Sequence, residues 1–134
     1  MANKGWVMWA LAMSAAVLLL AACARGGAGQ MVPGVRVDVA LAPDPPHVGP
    51  ATVTVTLEDE AGRPLTGAMV ELEGDMSHAG MVPVLAQAAE SAPGLYEAPL
   101  EFTMPGDWVL SVRATLADGR VVKHEVALPG IKNE

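Results

Sequence analysis

The sequence predicts an all-β fold, an immunoglobulin-like β-sandwich of about seven strands. Three observations predict it. Apolar residues alternate with polar ones in run after run beyond residue 34. Turn-forming residues separate the runs at short intervals. No stretch beyond the first 23 residues carries a sustained helical period.

The runs follow in order. Val35, Val37, Val39 and Leu41 alternate with Arg36, Asp38 and Ala40. Val53, Val55 and Leu57 alternate with threonines, which suit a half-buried pleated surface. Ala68, Val70 and Leu72 share a face, with Met69 on the opposite one. Residues 82–88 form the fourth and least regular run. The alanine-rich stretch 84–92, confined by Pro83 and Pro93, also has the composition of a single helical turn. Tyr96, Ala98, Leu100 and Phe102 share a face, and Pro99 marks an edge or a break. Trp108, Leu110, Val112, Ala114 and Leu116 share the next, with Trp108 read as a core anchor. Val122, Val126 and Leu128 form the last, with His124 on the same side. Asp118-Gly119 is a hairpin signal between the final two runs. The segment from Asp59 to Val70 resembles the turn between two strands of bacterial immunoglobulin-like modules.

The N-terminal part has a different character. Lys4 precedes an uncharged, apolar stretch that ends in Leu20-Ala21-Ala22-Cys23. A leucine, two small residues and a cysteine resemble the lipobox of bacterial lipoprotein precursors. That resemblance implies a signal peptide over residues 1–22, cleavage before Cys23, and a diacylglycerol thioether on its sulfur. The alternative is an uncleaved membrane anchor. Either way the remainder is extracytoplasmic, in the periplasm or its equivalent, and lipid-anchored to a bacterial membrane on the first reading. Cys23 is the only cysteine, so lipidation excludes disulfides and thiolate metal sites. Residues 23–34 then comprise the lipidated cysteine and a glycine-rich tether, and 35–134 form one domain. Residues 24–34 span about 35 Å when extended.

Net charge is −7, and losing Lys4 with the signal makes it one unit more negative. Such a surface argues against nucleic acid, whose phosphates it repels. Three histidines and scattered serines offer no nucleophile–base pair, and no glycine motif for phosphate is present. The expectation is a protein that is not an enzyme.

One segment carries chemistry. Residues 74–83 read Gly-Asp-Met-Ser-His-Ala-Gly-Met-Val-Pro, a Met76-x-His78-x-x-Met81 core set among glycines. Met104 precedes Pro105-Gly106-Asp107, a tetrad with the signature of a type II turn. Thioethers with imidazole are soft, neutral ligands that suit Cu(I), whereas zinc more often takes Cys, several His or carboxylates. If seven strands run up and down in order, the first, third and fifth connections share one end. His47 lies in the first, Met76, His78 and Met81 in the third, and Met104 in the fifth. The competing role for these methionines is flexible filling at the end of the core. For His78 it is an ordinary loop histidine, and for His47 a place in the stiff Pro43-Asp44-Pro45-Pro46 connection.

With those residues in view, the stretch from Val35 to Leu128 resembles the YtkA-like/FixH family of small extracytoplasmic proteins. The resemblance rests on Val70-Glu71-Leu72, Met76-Ser77-His78-Ala79-Gly80-Met81-Val82-Pro83, Gly94-Leu95-Tyr96 and Phe102-Thr103-Met104-Pro105-Gly106-Asp107-Trp108. It implies an immunoglobulin-like sandwich and, through the FixH branch, copper supply and assembly of respiratory cytochrome oxidases. FixH-type members are held by a transmembrane helix, whereas this chain carries a lipobox. The combined expectation is a membrane-tethered copper protein that delivers or buffers Cu(I). Met76, His78, Met81 and Met104 are its candidate ligands, with His47 as a fifth. Its partners would be the membrane and a copper-requiring membrane or periplasmic protein. The rival expectation is a non-metal sandwich module that assists a membrane-protein complex.

Overall fold

The computed structural model describes residues 29–30 and 32–134. The signal segment 1–22, Cys23 and tether residues 24–28 lie outside the described residues. Eight strands follow in chain order: β1 (Gly29–Gln30), β2 (Val35–Ala42), β3 (Gly49–Asp59), β4 (Met69–Met76), β5 (Val84–Ala92), β6 (Leu95–Phe102), β7 (Gly106–Thr115) and β8 (Val121–Ile131). No helix occurs among the described residues. The seven long strands are the seven that alternation predicts. The eighth, β1, comes from the segment read as tether. It pairs with β8, and Val32 packs on the core.

All pairings between these strands are antiparallel, in the order β1-β8-β7-β4-β5-β6-β3-β2. β5 turns this continuous sheet into a sandwich. Its first half, Val84 to Ala88, pairs with β4, and its second half, from Ala89, pairs with β6 across a register shift between Glu90 and Ala92. The two halves of the sheet thus fold over one core. Val53, Val55 and Leu57 of β3 and Leu110 of β7 are fully buried in it. Phe102 and Trp108 meet edge to face with ring centroids 5.3 Å apart. No polar or charged residue is buried among those described.

Residues 84–92 are a strand, not a helical turn. Alanine has little strand preference by itself, but here pairing with β4 along the first half and with β6 along the second overrides propensity. Pro99 is accommodated for a related reason. By that point of β6, β5 has left for the other half of the sheet, so only β3 remains as a neighbour. His124 lies on the inward side of β8, half-buried between Val122 and Val126.

Candidate metal centre

Antiparallel order brings three connections to one end: 43–48, 77–83 and 103–105. Gly49 at the start of β3 pairs with Phe102 at the end of β6, and Met76 at the end of β4 pairs with Trp108 near the start of β7. β8 finishes at the same end, where Ile131 opposes Gly106. His47 bridges to Lys132, and the Val48 amide donates to the Lys132 carbonyl at 2.9 Å. All five candidate ligands therefore stand at this end, as strand parity predicts.

Their surroundings differ. Met76 is only 8% exposed and belongs to the core. Its terminal methyl lies 2.9 Å from where a Cβ at residue 106 would sit, and it is the φ of +137° there that favours glycine. Met81 is half-buried against the core, His78 is exposed, and Met104 is 42% exposed. His47 is half-buried. Its Nδ1 lies 3.0 Å from the Val48 carbonyl oxygen, and its Nε2 lies 3.5 Å from Glu134 Oε1. Both ring nitrogens thus already face a protein partner, and ligation through Nε2 would have to displace Glu134.

Hydrogen bonds tie the two methionine segments together. The Ser77 amide donates to the Asp107 carbonyl at 3.1 Å, joining the 77–83 loop to the start of β7. The Trp108 indole N–H donates to the Met104 carbonyl at 3.0 Å. A type II turn would direct that carbonyl at the Asp107 amide. Instead Met104-Pro105 is a bend, and Gly106 opens β7 with φ of +137°. Asp107 Oδ1 accepts the Gly130 amide at 2.8 Å and so secures the end of β8. Sequence reasoning placed Asp107 only in the turn after Met104 and gave Trp108 first a core role. Trp108 is indeed core, 2% exposed, and its one polar atom orients the residue that carries Met104.

Harder donors do not gather here. Among the described residues no three His, Cys, Asp or Glu side chains form a group able to hold a metal. On the outer side of β4, the hydrogen bond and negative charge of Asp75, together with partial burial, push the Glu73 carboxyl above its ordinary value.

A two-layer antiparallel sandwich with its candidate ligands at one end is the class that this fold and site define. The model of the YtkA-like family matches residues 32–113, and the chain belongs to that family. The matched span includes His47, Met76, His78, Met81 and Met104, and stops short of β8. Among solved structures, the chain is similar to the crystal structure of the PmoD soluble domain from Methylocystis sp. ATCC 49242 (Rockwell). Identity is 12%, the TM-score is 0.49, and the match covers 73% of this chain and 97% of that one. No curated protein matches.

Proposed function

We propose that this chain is an extracytoplasmic, membrane-tethered protein that binds Cu(I) as cargo and delivers or buffers it, without enzymatic activity of its own. The observation that carries the reading is the location of three methionines and two histidines at one end of the sandwich, where the described residues form no group of three His, Cys, Asp or Glu able to hold a metal. Soft neutral ligands favour Cu(I). The graded burial suits transfer. Met76 lines the floor, Met81 lies half-covered, and His78 and Met104 stand where a recipient can exchange ligands with them. The Ser77–Asp107 bond fixes the distance between the loops that would close on the ion. The recipient in this reading is a copper-requiring membrane or periplasmic protein, with cytochrome oxidase assembly as the process that the FixH resemblance implies.

Competition with a Cu(I) chelator tests the reading. His78→Ala, Met81→Ile and Met104→Ile should each weaken Cu(I) binding severalfold. His78→Ala should also reduce the loss of affinity on acidification, because imidazole is the one ligand type here for which protons compete with the metal. Met104 lies in a different connection from Met81, so both matter only if the loops act together. Wild-type affinity in Met81→Ile and Met104→Ile, with a lower melting temperature, would identify the methionines as packing.

A further inference from the structure

β2 is an open edge. Among the described strands β3 is its one hydrogen-bonded neighbour, and the pairing runs without a bulge from Val35 to Ala42. Two other stretches with a single neighbour carry a proline: Pro99 in the half of β6 beyond β5, and Pro129 in the part of β8 beyond β1. β2 has no proline and no lysine. A regular edge of this kind is a template for one more strand. Its inner side is also incompletely covered. Val35, Val37, Val39 and Leu41 pack on the core but stay half-buried, whereas Val53, Val55 and Leu57 of β3 are fully buried.

The directions of the backbone groups follow from β3. Leu57 gives its amide to the Gly94 carbonyl, on the β6 side. Successive residues of a strand turn their backbone groups to opposite edges. Glu58, Thr56 and Thr54 therefore face β2, opposite Arg36, Asp38 and Ala40. Val35, Val37, Val39 and Leu41 in turn direct their amides and carbonyls to the open edge. The Val35 amide is already used, since it donates to the Val32 carbonyl at 3.2 Å.

A two-fold pair of β2 strands is antiparallel, and residues of this outward-directed set must face one another across it. Charge then selects the register. Centring on Asp38 sets Asp38 against itself, and centring on Arg36 sets Arg36 against itself. Centring on Val39 leaves Asp38 against Ala40 and Arg36 against Ala42. Centring on Val37 sets Arg36 of each copy against Asp38 of the other, twice by symmetry. These are non-hydrogen-bonded pairs, in which facing side chains come closest. The Arg36 side chain is 65% exposed and meets Glu58 only at 3.5 Å, so it can reach across the edge.

We propose that β2 pairs with β2 of a second copy of this chain, antiparallel and centred on Val37, joining the β5-β6-β3-β2 halves of both copies into one sheet. Four main-chain hydrogen bonds hold the strands, from the Val37 amide to the Val37 carbonyl and from the Val39 amide to the Val35 carbonyl, in both directions. The two Val37 side chains cover each other. The symmetry axis stands perpendicular to the sheet, so the two methionine ends point in opposite directions. The pairing is independent of copper binding.

Sedimentation equilibrium of the full chain in a density-matched non-ionic detergent tests it. The wild type should form dimers as concentration rises. Arg36→Asp and Asp38→Arg each place like charges across the edge and should weaken the dimer about tenfold. The double exchange should restore it, although it does not restore the contact with Glu58. Both positions are exposed, and melting curves check that each variant is folded. Oxidation of an Arg36→Cys chain mixed with an Asp38→Cys chain should give a mixed disulfide in severalfold excess over either self-linked product. The unsubstituted chain, run beside them, accounts for any link through Cys23. A wild type that stays monomeric at every concentration overturns the proposal. So does a dimer indifferent to the charge exchanges, or one in which Asp38→Cys links chiefly to itself.

Discussion

The turns at the charged end of the sandwich are wired to their own backbone by carboxylates, whereas the loops at the methionine end are held by the His47 and Trp108 ring nitrogens and by bonds to neighbouring strands. Asp59 Oδ1 accepts the amides of Ala61 and Arg63, both at 2.9 Å, and Asp118 Oδ1 accepts that of Arg120 at 3.0 Å. Tyr96, 1% exposed, donates its hydroxyl to the Leu65 carbonyl at 2.8 Å and accepts the Ala68 amide at 3.0 Å. It thereby pins the crossover from β3 to β4, much as a tyrosine corner does in other sandwiches. Gly94 is packed hard against Pro64 and the Leu57 carbonyl. At the methionine end, by contrast, Gly80 has nothing within 4 Å of where a Cβ would stand. The two ends have separate tasks. One closes the fold, and the other leaves His78, Val82 and Met104 exposed.

Matched glycine substitutions sharpen this difference most. Both Gly94 and Gly80 have positive φ, +73° and +87°. A Cβ at residue 94 would stand 2.7 Å from Pro64 Cβ and 2.8 Å from the Leu57 oxygen. Gly94→Ala should therefore cost about 3 kcal/mol, combining backbone strain with overpacking. Gly80→Ala should cost about 1 kcal/mol, from backbone strain alone. Urea unfolding of the two variants measures the gap, and equal losses would break the comparison.

Tyr96→Phe comes next. It leaves a carbonyl and an amide unpaired beneath the crossover, and should lower stability by about 2 kcal/mol. Hydrogen exchange should show faster opening around residues 64–68 than in the β7–β8 pair. At the other end, Met104→Ile should change stability by about 0.5 kcal/mol or less, because the side chain is substantially exposed. A large loss of stability there would mean that Met104 closes the fold after all.

Smallest are the effects of pH, and the ends should differ in sign. Hydrogen bonds to backbone amides and to arginine hold Asp59 and Asp118 below their ordinary value of 3.8. Their contribution is present above that value and is lost as pH falls through the depressed ones. Asp59→Asn and Asp118→Asn should flatten the acid side of the stability profile. Glu73, toward the methionine end, is raised above 4.5 by its neighbour Asp75. Its contribution is present below 4.5 and is lost as pH rises through the raised value. Glu73→Gln should therefore raise the melting temperature slightly at neutral pH and leave it unchanged in acid, as thermal scans at the two pH values would show.

Much of the core was readable from alternation alone. Period two assigns Val53, Val55 and Leu57, or Trp108 to Leu116, to one side, and burial follows whenever that side has a layer to face. β5 was harder, because alanine and glutamine leave little contrast between its two sides. Its change of partners from β4 to β6 depends on residues distant in sequence. Strand parity made the meeting of the candidate loops legible. The different depths of Met76 and Met104 were not, because a methionine's burial depends on what crosses above it.

By itself, then, the sequence determined the all-β class, the seven principal strands, the inward sides and the end at which the methionines and histidines gather. These follow from periodicity and chain order, which are local properties. Tertiary structure alone decided that Met76 belongs to the core, that the Trp108 indole holds the Met104 carbonyl, and that Gly29–Gln30 enters the sheet beside β8. Each of these depends on contacts between segments far apart in the chain, and no local pattern encodes the surface that a distant strand will present.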